Sequence, residues 1–134
     1  MNSVILVIDD NIRVAKLLAT ILNNNGYTSI TASNAKNAYE LLKTGPLPAL
    51  ILTDYYMPHV NGCEFIESIA TYSEYKDIPV ILITSSRLET LKLPTTDNFK
   101  GLIKKPFNLN TILEAVRKFT SNQNSSFHSY KTYP

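Results

Sequence analysis

The stretch ALILTDYYMPHVNG, residues 49–62, carries a short apolar run into an acid, Asp54, and then into a loop holding a proline and a glycine. ALILT has no polar break before its final threonine, the pattern of a strand buried on both faces of a parallel sheet. The same pattern recurs on either side of it. VILVIDD (4–10) ends in Asp9 and Asp10, PVILIT (79–84) ends in Thr84, and GLIKKP (101–106) ends in Lys105 before Pro106. In an open parallel α/β sheet the strand C-termini line one edge, and ligands bind in the crevice outside that edge. Three acids, a hydroxyl and a lysine therefore converge at one place, a set suited to phosphoryl and metal chemistry on a carboxylate.

Helical patterns fill the gaps between these runs. Val14, Leu17, Leu18, Ile21 and Leu22 form one stripe that stops at Asn25-Gly26. YTSITA (27–32) alternates like an edge strand, and Asn34 can cap the helix AKNAYELLKT, which stops at Gly45-Pro46. Phe65, Ile66, Ile69 and Ala70 predict a third helix facing inward. Leu109, Ile112, Leu113, Val116 and Phe119 predict a last one, capped by Asn108 or Asn110. Five strands in this rhythm predict a flavodoxin-like, doubly wound parallel sheet of order 2-1-3-4-5, with its switch point between the first and third strands. Asp10 and Asp54 end those two strands.

One segment departs from the rhythm. SSRLETLKLPTTDNFK (85–100) stands where a fourth helix belongs, but Pro94 forbids a helix through it and Thr95 to Asn98 are turn formers. Ser86 to Asn98 is therefore predicted as a short helical fragment or a loop, leaving that helix irregular or shortened. From Ser121 the tail SNQNSSFHSYKTYP is polar and lacks helical period, so residues 1–120 are expected as one domain and 121–134 as a disordered tail.

The chain has 134 residues, 44% hydrophobic and 18% charged, enough for one soluble domain with a core of its own. A net charge of +2, scattered along the chain, gives no clustered basic face for nucleic acid. Cys63 is the single cysteine, which excludes a disulfide framework and a cysteine metal cluster; it reads as a small apolar filler. With no leader pattern and no run of membrane-spanning length, the cytoplasm is the default expectation.

At the acid pair Asp9-Asp10, at Asp54 within DYYMPHVNG, at Thr84-Ser85 and at Lys105-Pro106-Phe107, the chain resembles the receiver (response-regulator) domain of two-component signalling. The match spans roughly residues 3 to 120 and rests on all these elements in order, each closing a predicted strand. The resemblance implies that Asp54 accepts a phosphoryl group with the help of magnesium, or manganese in its place. Asp10 and Asp54 would ligate the ion directly, Asp9 through water, and the backbone carbonyl of Tyr56 would complete the protein ligands. Thr84 and Lys105 would bind the phosphoryl oxygens. Pro58, Gly62 and Pro106 shape the loops, the Lys105-Pro106 bond being cis in the family and turning the lysine inward. A competing reading, that Asp9 and Asp10 merely cap the first helix, does not require two acids facing a third. The aromatic switch position of the family falls on Leu102, which cannot perform a ring rotation.

The function expected from this resemblance is that of a stand-alone receiver. Asp54 would be phosphorylated by a sensor histidine kinase or a histidine phosphotransfer domain. The signal would leave by contact with a downstream protein or by onward phosphorelay, without direct nucleic-acid binding or membrane insertion. A pseudo-receiver acting as a phosphorylation-independent binding module is the alternative, against which the intact site residues argue. An aspartyl phosphatase would need a second acid where Tyr56 stands. His59 reads as an exposed loop residue and His128, in the tail, offers no partner pair.

Overall fold

The apolar runs form strands, and the two-residue period of each strand divides the core into two layers. In the computed structural model, which describes residues 3–121 and 131–133, the elements follow in chain order. They are β1 (Val4–Ile8), α1 (Ile12–Asn23), β2 (Thr28–Ala32), α2 (Ala35–Thr44), β3 (Leu50–Asp54), α3 (Gly62–Ile69), β4 (Val80–Thr84), β5 (Phe99–Lys104), α4 (Leu109–Thr120) and β6 (Lys131–Tyr133). All neighbouring strands pair in parallel, in the order β2-β1-β3-β4-β5-β6. The expected 2-1-3-4-5 order is present, and β1 and β3 are neighbours.

Leu6, Ile8, Ile51, Val80, Leu82 and Leu102 face one layer, covered by Ala38 and Leu42 of α2 and by Phe65, Ile66 and Ile69 of α3. Ile5, Val7, Leu50, Leu52, Ile81, Ile83 and Ile103 face the other, covered by Leu18 and Leu22 of α1 and by Ile112, Ala115 and Val116 of α4. Two stripe residues expected inside are not there: Leu17 is 52% and Leu109 48% exposed. Ala15 and Ala115 are buried in their helices instead. At 100° per residue Leu17 lies about 200° round the helix from Ala15, away from the sheet, and Leu109 is the first residue of α4.

Each α-helix begins at an asparagine. The side chains of Asn11, Asn34, Asn61 and Asn108 accept first-turn backbone N–H groups, and Asn61 with Glu64 forms a reciprocal capping box. Helix α1 is thus capped by Asn11, which leaves the carboxylates of Asp9 and Asp10 outside the cap. Gly26, at φ 89°, ends that helix in the left-handed region that glycine enters without steric cost.

No α-helix lies between β4 and β5. A 3-10 turn, Leu88–Thr90, is followed by an irregular chain to Asn98, as Pro94 and its turn-forming neighbours dictate. Leu91 and Leu93 pack against the α2/α3 layer from this segment, and buried Asn98 donates from Nδ2 to the Ile66 carbonyl at 2.9 Å.

The tail, expected to be disordered, adds structure at residues 131–133: β6 pairs beside β5 with Gly101 opposite Lys131, Leu102 opposite Thr132 and Ile103 opposite Tyr133. An edge strand offers a row of unpaired backbone groups, and a short segment with threonine and tyrosine can take them. Residues 122–130, His128 among them, and Pro134 lie outside the described residues. No helix among the described residues is long and apolar enough to cross a membrane.

Candidate functional site

The C-terminal ends of β1, β3, β4 and β5 deliver the polar residues to one crevice. Asp9 and Asp10 follow β1, Asp54 closes β3, Thr84 closes β4, and Lys105 follows β5. Carboxylate oxygens of Asp9, Asp10 and Asp54 lie within 4.8 Å of one another. The Lys105 Nζ stands between two of them, 3.1 Å from Asp9 Oδ2 and 3.4 Å from Asp54 Oδ1. The Lys105-Pro106 bond is cis, and the Lys105 backbone N–H donates to the Thr84 carbonyl at 2.8 Å.

Burial and the neighbouring acid act on Asp54 against the neighbouring lysine. Loss of solvent and then the nearby negative charge of Asp9 push its carboxyl up from 3.8 to about 6, while Lys105 pulls it down. Its Oδ1 also accepts the backbone N–H of Tyr55 at 2.9 Å. Asp9, whose side chain is 2% exposed, is held by Lys105 through Oδ2 and by the Asn11 N–H, 2.9 Å from Oδ1. Asp10 is exposed. Three carboxylates that approach one another this closely are a hard oxygen donor set, which fits magnesium or manganese and does not suit a softer metal. Their crowding is relieved here in part by Lys105.

Thr84 is buried, and its Oγ1 accepts the Ser86 N–H at 3.2 Å. A hydroxyl so held still has its own proton to donate. Pro58 and His59 make a tight turn: the Val60 N–H donates to the Pro58 carbonyl at 2.8 Å, with His59 exposed at φ 71° between them. Gly62 stands against the backbone behind Asp54. A Cβ added there would sit 2.6 Å from the Asp54 carbonyl oxygen and 3.1 Å from the Tyr55 Cα, so only glycine fits. Tyr56 is 56% exposed beside the crevice. Leu102 is fully buried in the α2/α3 layer and does not border it. Cys63, buried at the start of α3 with its thiol pushed up by burial, is filler as expected.

Sequence reasoning singled out Tyr56 and passed over Tyr55. Tyr55 is 5% exposed, and its hydroxyl donates to the Lys92 carbonyl at 2.9 Å. The signal was present in the two-residue period of β3, since Ile51, Thr53 and Tyr55 follow the same alternation and Ile51 and Tyr55 share the α2/α3 layer.

The sequence and the fold both have known relatives. A family model described as the response regulator receiver domain matches residues 5–117. The chain is 30% identical over 86 residues to the two-component response regulator ORR5 of Oryza sativa subsp. japonica, an alignment covering 64% of this chain and 64% of that protein. It is 29% identical over 120 residues to sporulation initiation phosphotransferase F of Bacillus subtilis (strain 168), covering 89% of this chain and 94% of that one. The chemotaxis response regulator CheY4 of Vibrio cholerae superposes with a TM-score of 0.77 at 25% identity, over 89% of this chain and 99% of its own. The matches to the rice regulators ORR5 and ORR11 span less than two thirds of those proteins.

Proposed function

This chain belongs to the response regulator receiver domain family of two-component signalling, and from that premise we propose that Asp54 is its phosphoacceptor. The observation that carries the reading is the Lys105 ammonium lying between Asp9 and Asp54, with Asp10 beside them. Receiver domains as a family accept phosphoryl groups and bind Mg2+ at an acidic pocket. Here Asp9, Asp10 and Asp54, with the backbone carbonyl of Tyr56, would hold that ion. Bound there, it would supply positive charge against the phosphoryl oxygens.

The proposed reaction is phosphoryl transfer from a phosphohistidine. An Asp54 carboxylate oxygen forms the new P–O bond as the P–N bond breaks, and the imidazole leaves with a proton from solvent. Lys105 moves from the resting carboxylates to one phosphoryl oxygen and the Thr84 hydroxyl donates to another, so that charge is met in a partly dry crevice. The half-buried Asp54 carboxylate is aligned beforehand by the Tyr55 N–H. A lysine already paired with the acceptor favours this reading over a phosphorylation-independent binding module.

The donor we propose is a sensor histidine kinase or a histidine phosphotransfer domain, and the signal leaves by protein contact or onward relay. An unpaired, buried Cys63 suits a reducing compartment, and the cytoplasm is where we propose that the domain acts. Mixing the protein with a phosphorylated histidine phosphotransfer domain tests the donor class. Loss of phosphate from the donor, matched by gain on Asp54 in magnesium and abolished by EDTA, is the expected result. A donor that keeps its phosphate in every such pairing counts against it.

A further inference from the structure

We propose that Tyr55 is a positioning residue that couples the state of Asp54 to the irregular segment 86–98, in the place of a ring at position 102. The inference rests on Asp54 being the acceptor and names how its state leaves the crevice. Tyr55 touches both sides of that path. Its backbone N–H donates to Asp54 Oδ1 at 2.9 Å, and its hydroxyl donates to the Lys92 carbonyl at 2.9 Å. Between these two bonds the residue has little freedom. Gly62 donates its N–H to the Tyr55 carbonyl, and the ring is buried with an edge contact to Tyr56 at 4.9 Å between centroids.

Among the described residues, the other hydrogen bonds that tie this segment to the rest of the fold lie near its two ends. Ser86 N–H is held by the Thr84 hydroxyl, and Thr95 by the Glu67 carboxylate at 3.1 Å, with Asn98 tied to Ile66. Between Thr84 and Thr95, the Tyr55 hydroxyl anchors the middle of the segment, beside the packed side chains of Leu91 and Leu93. Position 102, by contrast, is a fully buried leucine with no polar tip. A phosphoryl group on Asp54 takes the carboxylate away from the Tyr55 N–H and draws the Thr84 hydroxyl, the two contacts that flank the segment's anchors. Low-stability segments held by a few directed bonds are those that shift when such bonds change.

Trypsin reads the anchor directly, because cleavage after Lys92 requires the same carbonyl that Tyr55 holds. Tyr55→Phe keeps the ring and removes only the hydroxyl. Its cleavage at Lys92–Leu93 is expected to be about tenfold faster than in the wild type, the size of one hydrogen bond, with cleavage after Lys43 in α2 unchanged. Beryllofluoride with magnesium, a phosphoryl mimic, is expected to speed cleavage at Lys92 severalfold in the wild type and to have no further effect in Tyr55→Phe. Equal trypsin rates at Lys92, or a beryllofluoride effect that survives in Tyr55→Phe, would each overturn the proposal. Absence of Asp54 labelling by acetyl phosphate in the wild type would instead count against Asp54 as acceptor, and the metal-free trypsin comparison would still decide the anchor.

Discussion

The Lys105 ammonium and the Asp9 carboxylate face one another at 3.1 Å across the crevice, from strands at different positions in the sheet. Lys105 also reaches Asp54 at 3.4 Å, so one lysine offsets the repulsion between two acids. Breaking a buried charge pair costs about 3–5 kcal/mol, and with the Lys105 side chain 21% exposed a smaller loss is expected. Lys105→Met should lower metal-free stability at neutral pH by about 1–3 kcal/mol. Its midpoint should rise more on adding magnesium than the wild type does, because lysine and metal serve the same carboxylates. Urea unfolding with and without magnesium measures both. A variant as stable as the wild type without metal would show that the pair is not offsetting repulsion.

Asp54 predicts a pH dependence of definite sign. Its folded value of about 6 lies above the ordinary 3.8, so between these values the folded protein binds more protons than the unfolded chain. Stability from this group is therefore full below about pH 4 and falls as pH rises through about 6. After discounting for solvent, the loss is about 1–2 kcal/mol. Asp54→Asn should escape it, gaining on the wild type from near zero at low pH to that amount at neutral pH in EDTA. A gain of the same size at both ends of the range would remove burial of the carboxylate as its cause.

Gly62 is predicted to tolerate no side chain. A methyl would meet the Asp54 carbonyl at 2.6 Å, backbone that cannot rotate away, and overpacking of this kind costs about 1–3 kcal/mol. Gly62→Ala should lose that much stability and label Asp54 more slowly, since the displaced backbone carries the acceptor. Thermal unfolding and initial labelling rates check the two parts, and an unperturbed rate would separate the loop from the acceptor.

Leu102 is predicted to matter for packing and not for signalling. It is fully buried, so Leu102→Ala should cost about 2–5 kcal/mol while the beryllofluoride effect on trypsin cleavage after Lys92 persists. Loss of that effect in a variant shown to be folded would return the relay to this position.

Strand order and the crevice were legible because buried parallel strands write themselves as unbroken apolar runs, and chemistry sits where each run stops. Pro94 announced the missing helix for a local reason, its absent N–H. What was less legible depended on contacts distant in sequence. Leu17 and Leu109 fit an inward stripe by period alone, yet Ala15 and Ala115 are the buried positions, a choice set by which face and which turn of each helix meet the sheet. Tyr55 meeting Lys92 and the tail's Lys131–Tyr133 pairing with β5 join positions that no local pattern relates. Asn11 took the cap that Asp9 and Asp10 were weighed for, and that left the acids to the crevice.

The central claim, a magnesium-dependent phosphoacceptor at Asp54, is tested most directly by intact mass after incubation with acetyl phosphate. The wild type should gain one phosphoryl group in magnesium and none in EDTA, with peptide mapping placing it on Asp54. Asp54→Asn should gain none. Equal labelling of that variant, or labelling of the wild type undiminished by EDTA, would contradict the account.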